Sequence, residues 1–169
     1  ELKTGLERLL SKKIPFFDEI DEGSIVLGTP GSSPLIEQLD LPLENLGREG
    51  FLIRSLEIDR RDVTVIAAQT DTGLLYGVFR LLRLAQSDGL PESVDISDRP
   101  AIDLRLLNHW DNLDRHVERG YSGQSLWDWW RLPDIVDPRY TGYARANASI
   151  GINGTVLNNV NAKPEVLTP

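Results

Sequence analysis

Leu2, Leu6, Leu9 and Leu10 recur at helical spacing and predict an amphipathic helix over residues 1–12. Ser24 to Thr29 is a short β-rich run closed by the turn Pro30-Gly31-Ser32-Ser33. Pro34 suits a first helical position, and Leu35, Ile36 and Leu39 give the next short helix its apolar face. From Phe51 to Ile58 the side chains alternate as in a strand. Asp59-Arg60-Arg61-Asp62 reads as a turn and Val63 to Ala67 as the returning strand, so 51–67 predicts a β-hairpin. Thr70 or Asp71 then caps a long helix whose apolar face is Leu74, Leu75, Val78, Leu81, Leu82 and Ala85, with Gly89 as its stop. The first hundred residues therefore predict a sheet with helices packed on it.

The pattern changes after Ser97-Asp98-Arg99-Pro100, a polar stretch with a proline that reads as a linker between domains 1–100 and 101–169. Ile102 to Leu107 is a nearly continuous apolar run, broken by Asp103 and Arg105, and ends in Asn108-His109-Trp110-Asp111-Asn112. Helical pieces follow at Trp127 to Trp130 and, after Pro138, at Tyr140 to Ile150. Asn153 to Leu157 is a second apolar strand, ending in Asn158-Asn159-Val160-Asn161. Continuous apolar strands suit a sheet covered on both faces. Polar residues crowd the C-terminal end of each strand, where both (β/α)8 barrels and doubly wound sheets build their sites.

Composition sharpens this division. Residues 1–100 carry 11 basic and 18 acidic side chains, and 101–169 carry 7 and 8. All four Trp and both His lie between 109 and 130, and Asn is concentrated late, at 147, 153, 158, 159 and 161. That polar-aromatic mixture belongs to ligand sites. The net charge of −8 argues against nucleic acid and anionic lipid as partners. No apolar run is long enough for a membrane span, so no membrane insertion is expected. Without Cys there is no disulfide, no thiol nucleophile and no Cys-ligated zinc. His109 and His116, seven apart with an Asp between, have no convincing metal spacing and read as structural; no metal and no cofactor are expected. Glu1 is followed by no basic-then-apolar leader, so any signal peptide is expected to be already removed or never present. Gly28 to Ser33 lacks the Lys and the spacing of a P-loop and reads as a plain turn. Gly73 and Gly77, four apart on one helix face, read as close helix-on-sheet packing. A nucleophile elbow and a dinucleotide fingerprint are both missing.

Two long segments carry a resemblance. Leu106 to Asp114 (Leu-Leu-Asn-His-Trp-Asp-Asn-Leu-Asp), followed by Val117-Glu118-Arg119-Gly120-Tyr121-Ser122-Gly123, resembles the start of the catalytic barrel of microbial α-glucuronidases, glycoside hydrolase family 67. The run from Tyr143 to Ala162 resembles the same family. Gly73-Leu74-Leu75-Tyr76-Gly77-Val78 is similar to the non-catalytic N-terminal domain of these enzymes and of β-hexosaminidases. The resemblance implies an α/β chain: a hexosaminidase-type α/β sandwich over 1–100, then the opening two strands of a (β/α)8 TIM barrel over 101–169. Two strands cannot close an eight-stranded barrel, so an incomplete chain is implied. The general acid, a Glu, and the base, an Asp/Glu pair, are then expected beyond Pro169.

The activity implied is inverting hydrolysis of glucuronic acid, often 4-O-methylated, from xylo-oligosaccharides, with the two carboxyl functions about 6.5–9.5 Å apart. The partner implied is a glucuronic-acid-bearing xylo-oligosaccharide. The resemblance further implies a cytoplasmic or cell-associated (periplasmic) enzyme and places dimer contacts in the C-terminal region. Within this chain, substrate binding is expected of Trp110, Asp111, Glu118, Arg119, Asn159 and Val160. Trp110 would offer its indole face to a sugar ring or be a buried Trp between the domains. Asp111 and Asn112 would bind sugar hydroxyls or cap a loop. Glu118 and Arg119 would serve hydroxyls and the uronate or form a structural ion pair. Val160 would meet a methyl ether or pack the barrel, and Asn158 and Asn159 would bind sugar or cap strand ends. Arg105, Arg119 and Arg145 are the cations available to the uronate. Trp127, Trp129 and Trp130 read as a hydrophobic plug. Two other readings compete: a barrel glycosidase for a different sugar, and a non-catalytic carbohydrate-binding module.

Overall fold

The computed structural model describes residues 1–87 and 89–158. Strands β2 (Phe51–Ile58) and β3 (Arg61–Ala68) form an antiparallel hairpin, in register from Phe51 opposite Ala68 to Ile58 opposite Arg61. Its loop is two residues, Asp59 and Arg60, both with positive φ (51° and 65°). That conformation matches the twist of the flanking strands. Arg61 and Asp62, expected in the turn, begin the returning strand instead.

Strand β1 (Ile25–Gly28) lies parallel to β3, and β4 (Asp95–Asp98) antiparallel to β2, giving the order β1-β3-β2-β4. The sequence reading made Ser97 and Asp98 part of a linker; they complete the edge strand. Its residues, Asp-Ile-Ser-Asp, have no apolar alternation to announce it. Ile96 sits opposite Ile53, and Asp95 pairs with Arg54 at 2.8 Å.

Both faces of this sheet are covered. Leu52, Ile53, Val65, Ile66, Ala67 and Ala68 are fully enclosed, although their side chains alternate sides. On one face lie α2 (Pro34–Gln38) and the segment through Leu41, Leu43 and Leu46, packed on Leu52, Val63 and Val65. Ser33 caps α2 by accepting the Ile36 amide, and the turn before it is held by Thr29 and Ser32. On the other face lies α3 (Asp71–Ser87), capped by Thr70, whose hydroxyl accepts from the Gly73 amide and donates to the Arg48 carbonyl. Helix α1 (Leu2–Leu10) packs on α3, with Gly5 against Leu82 and Leu6 buried; Leu9 and Leu10 stay exposed.

Gly73 and Gly77 set the approach of α3 to the sheet. A Cβ at Gly77 would lie 2.8 Å from Ile66 Cγ2, and one at Gly73 would overlap the Gly50 carbonyl oxygen. A backbone oxygen cannot rotate away as a side-chain tip can. Gly73→Ala is therefore expected to destabilise this unit by about 1–3 kcal/mol. Urea unfolding followed by circular dichroism checks this; an unchanged midpoint would mean that the helix has room to shift.

This first compact unit ends at Ala101, and a second begins at Ile102. In the second, β5 (Leu106–Asp111) runs parallel to β6 (Gly154–Asn158), and α4 (Pro138–Ser149) lies between them in sequence, making a β-α-β unit. Asp137 caps α4 by accepting from the Arg139 amide, and Pro138 occupies the first turn. Two expectations are corrected here. The first strand starts at Leu106, not Ile102. Its apolar side chains are also not covered on both faces: Leu106 and Leu107 are exposed, as is Val156 on β6. Among the described residues β5 has only β6 beside it in its sheet. No described helix is long and apolar enough to cross a membrane.

Candidate strand-end site

The end of β5 is irregular. Asn108 pairs with Val156 and Asp111 with Asn158, so three steps on β5 match two on β6. The extra residue makes a β-bulge, a device that re-aims side chains beside sites. Trp110 sits in it with φ at 55°, a left-handed conformation that costs a non-glycine residue on the order of 1–2 kcal/mol. Trp110 is exposed, at 38% of its surface. The Trp110 carbonyl accepts the Glu118 amide at 2.9 Å, and Glu118 is itself left-handed, with φ at 56°.

The chain after β5 folds back on itself. Asp111 bridges to Val117 and His116 to Gln124. Asn112 Nδ2 donates to the carbonyls of His116 (2.8 Å) and Glu118 (2.7 Å), so of its two readings the structure displays the loop cap. The His116 amide donates to Asp114 at 3.0 Å, and with the His116 ring beside it this holds the exposed Asp114 carboxyl below the usual carboxylate range.

Two buried carboxylates organise the unit. Asp111 is 2% exposed, and its Oδ2 accepts from the Ser125 hydroxyl, which accepts in turn from the Trp127 amide at 2.8 Å. Asp128 receives Arg115 at 2.9 Å and Arg139 at 2.7 Å, with Arg131 at 3.7 Å. The Asp128 amide donates to Tyr140 Oη at 2.8 Å. Arg115 also donates to the Ser125 carbonyl at 3.1 Å and lies over the Trp130 ring, 5.4 Å from its centroid. Trp127 packs on Tyr140 (4.6 Å between centroids), Tyr143 and His109, and His109 Nε2 shares a hydrogen bond with Tyr143 Oη.

These facts locate the expected site residues. Trp110 and Arg119 are open to solvent, Arg119 more so. Glu118 is nearly buried, with Oε1 3.7 Å from Arg119 Nε. The direct sugar contact expected of Asp111 finds its carboxylate enclosed and engaged by Ser125. Arg105 is committed to the carbonyls of Gly151 (2.5 Å) and Ile102 (2.6 Å), Arg145 lies half-buried on α4, and Arg119 is the exposed cation beside Glu118. Asn159 and Val160 lie outside the described residues. Trp127 is part of an aromatic plug, whereas Trp130 is exposed. A recess of about 610 Å³ is lined only by first-unit residues, among them Ser55, Glu57, Thr64 and Leu81, and adds nothing to the strand end.

Ser125, Asp128, Tyr140 and Tyr143 were not singled out from sequence. Asp128 left one signal: an acidic residue set among three Trp, a setting in which a carboxylate needs partners. The arrangement presents an aromatic face, a nearly buried carboxylate and an exposed guanidinium along one short stretch. That set suits holding an anionic sugar. Asp111 and Asp128 are tied into structural hydrogen bonds and ion pairs.

Residues 1–81 match the family model described as glycosyl hydrolase family 67 N-terminus, and residues 84–169 the glycosyl hydrolase family 67 middle domain. The junction between the two models falls within α3, ahead of the break between compact units. The chain is 34% identical to "Probable alpha-glucuronidase A" of Aspergillus terreus over all of its length and 20% of that protein. It is likewise 34% identical to the protein so named in Neosartorya fischeri, again over all of this chain and 20% of the relative. With "Alpha-glucuronidase A" of Emericella nidulans it shares 41% identity over 62% of the chain and 13% of the relative. The chain thus spans about a fifth of the length of the first two relatives.

Proposed function

Because the chain belongs to glycoside hydrolase family 67, we propose that it is the amino-terminal portion of an inverting α-glucuronidase, which removes α-1,2-linked glucuronic acid, 4-O-methylated or not, from xylo-oligosaccharides. The observation that carries this reading is the match of both halves, in order, to the N-terminal and middle models of one hydrolase family. In this reading 1–100 is a non-catalytic α/β domain of the hexosaminidase type, and 101–169 opens a (β/α)8 barrel. The parallel β5/β6 pair with α4 between the strands supports the second assignment, since barrels are built from such units. So do the exposed apolar side chains of β5 and β6, which further strands and helices would cover.

The chain then builds one wall of the uronic-acid pocket. Trp110 stacks on the sugar ring, Glu118 accepts from its hydroxyls, and Arg119 meets the uronate. Asn159 and Val160, outside the described residues, are assigned from sequence alone, Asn159 to a sugar hydroxyl and Val160 to a 4-O-methyl group. Asp111 holds the loop. The general acid and the base lie on later strands, outside this chain. Inversion requires the acid to protonate the glycosidic oxygen while the base activates water on the opposite ring face. The isolated chain is accordingly expected to release no uronic acid from methylglucuronoxylotriose, as measured by chromatography of the products. Clear turnover would move the chemistry into these 169 residues and overturn the assignment.

A further inference from the structure

Trp110 holds a left-handed backbone in a β-bulge, and the residue on each side of it is tied down. Before it, His109 shares a hydrogen bond with Tyr143 on α4 and packs against the Trp127 ring, with centroids 6.2 Å apart. After it, Asp111 takes the Ser125 hydroxyl, and the same hydroxyl accepts the Trp127 amide at 2.8 Å. Both ties converge on Trp127, which packs on α4 through Tyr140 and Tyr143. A strained backbone persists only where its surroundings over-determine it. Here those surroundings include the Glu118 amide on the Trp110 carbonyl, the pairing of Asp111 with β6, and two side-chain hydroxyl groups that lie outside the bulge.

Building on the proposed α-glucuronidase reading, we infer that Ser125 and Tyr143 are positioning residues that act through Asp111 and His109 to fix the aim of the Trp110 indole. Ser125 does two jobs with one oxygen: it donates to the buried carboxylate and accepts from the plug. Tyr143 fastens the other flank to the helix that crosses between the two strands. Losing either hydroxyl removes the side-chain tie on one flank of the bulge, loosening its aim while leaving the indole in place. An indole that contacts the sugar equally before and during reaction affects KM and leaves kcat unchanged.

The test is a double-mutant cycle in the full-length enzyme with methylglucuronoxylotriose. Ser125→Ala and Tyr143→Phe are each made alone and in a Trp110→Ala background. Each alone is expected to raise KM about tenfold with kcat within about twofold, a coupling in the range of residues sharing one network. In the Trp110→Ala background each is expected to change KM less than about twofold, because the group they aim is gone. An equal rise in KM in both backgrounds, or a fall in kcat with KM unchanged, would overturn the inference. Should Ser125→Ala unfold the protein, Tyr143→Phe, which removes one partly buried hydroxyl, decides the question by the same cycle. A wild-type protein inactive on this substrate would remove the α-glucuronidase reading itself, and the inference with it; an active wild type with additive mutants removes the inference alone.

Discussion

Replacing Asp128 with Ala is expected to destabilise the second unit by about 2–3 kcal/mol. The side chain is nearly buried and draws three guanidinium groups, from Arg115, Arg139 and Arg131. Removing one partner of a fully buried pair costs about 3–5 kcal/mol, because the other charge is left without compensation. The effect here is smaller because Arg139 and Arg131 are nearly half-exposed and recover water. Arg115 dominates what remains, since it also ties the Ser125 carbonyl and covers Trp130. Asp128→Asn keeps the shape and two acceptor lone pairs, and is expected to lose less. Thermal unfolding followed by Trp fluorescence reads this directly, since all four Trp lie in the second unit. Equal midpoints for the wild type and Asp128→Ala would mean that the arginines do not depend on this carboxylate.

The largest expected effect on activity is at Trp110. In the full-length enzyme, Trp110→Ala is expected to lower kcat/KM about a hundredfold, equivalent to about 2.7 kcal/mol of binding lost to the transition state. The loss should appear mainly in KM, since a stacked ring contributes to ground state and transition state alike. Trp130→Ala is the matched control. Its ring is more exposed than that of Trp110 and is covered on one side by Arg115, and no role in sugar binding is assigned to it. Initial rates on methylglucuronoxylotriose should separate the two substitutions by more than a factor of ten. Similar rates for both would mean that Trp110 is a packing residue.

The first unit was largely legible because its elements bury their own periodicity. The alternation of Phe51 to Ile58 and the helical face from Leu74 to Leu82 each follow from local spacing. Strand β4 was not legible: it pairs through backbone hydrogen bonds along β2, and its Asp-Ile-Ser-Asp sequence has the composition of a linker. In the second unit the strands were visible but the start of β5 was not. Ile102 to Leu107 reads as one apolar run, and apolar character alone does not mark where pairing with β6 begins.

The candidate site divides in the same way. Trp110, Glu118 and Arg119 stood out as chemistry-bearing residues at a strand end. The burial of Asp111 could not be read, because it depends on Ser125, fourteen positions away. The grip on Asp128 joins Arg115 and Arg139, which are twenty-four residues apart and meet only once α4 is in place. Sequence spacing exposes groups that share one element; these contacts are made between elements.

In the proposed reading this chain forms one wall of a pocket for an α-linked uronic acid, and the full-length protein hydrolyses that linkage with inversion. The most direct measurement is proton NMR of methylglucuronoxylotriose during its first minutes with the full-length protein. Loss of the α-1,2 linkage and first appearance of the β-anomer of free methylglucuronic acid are expected, the outcome of a single inverting displacement. An intact tetrasaccharide, or first appearance of the α-anomer, would contradict that reading.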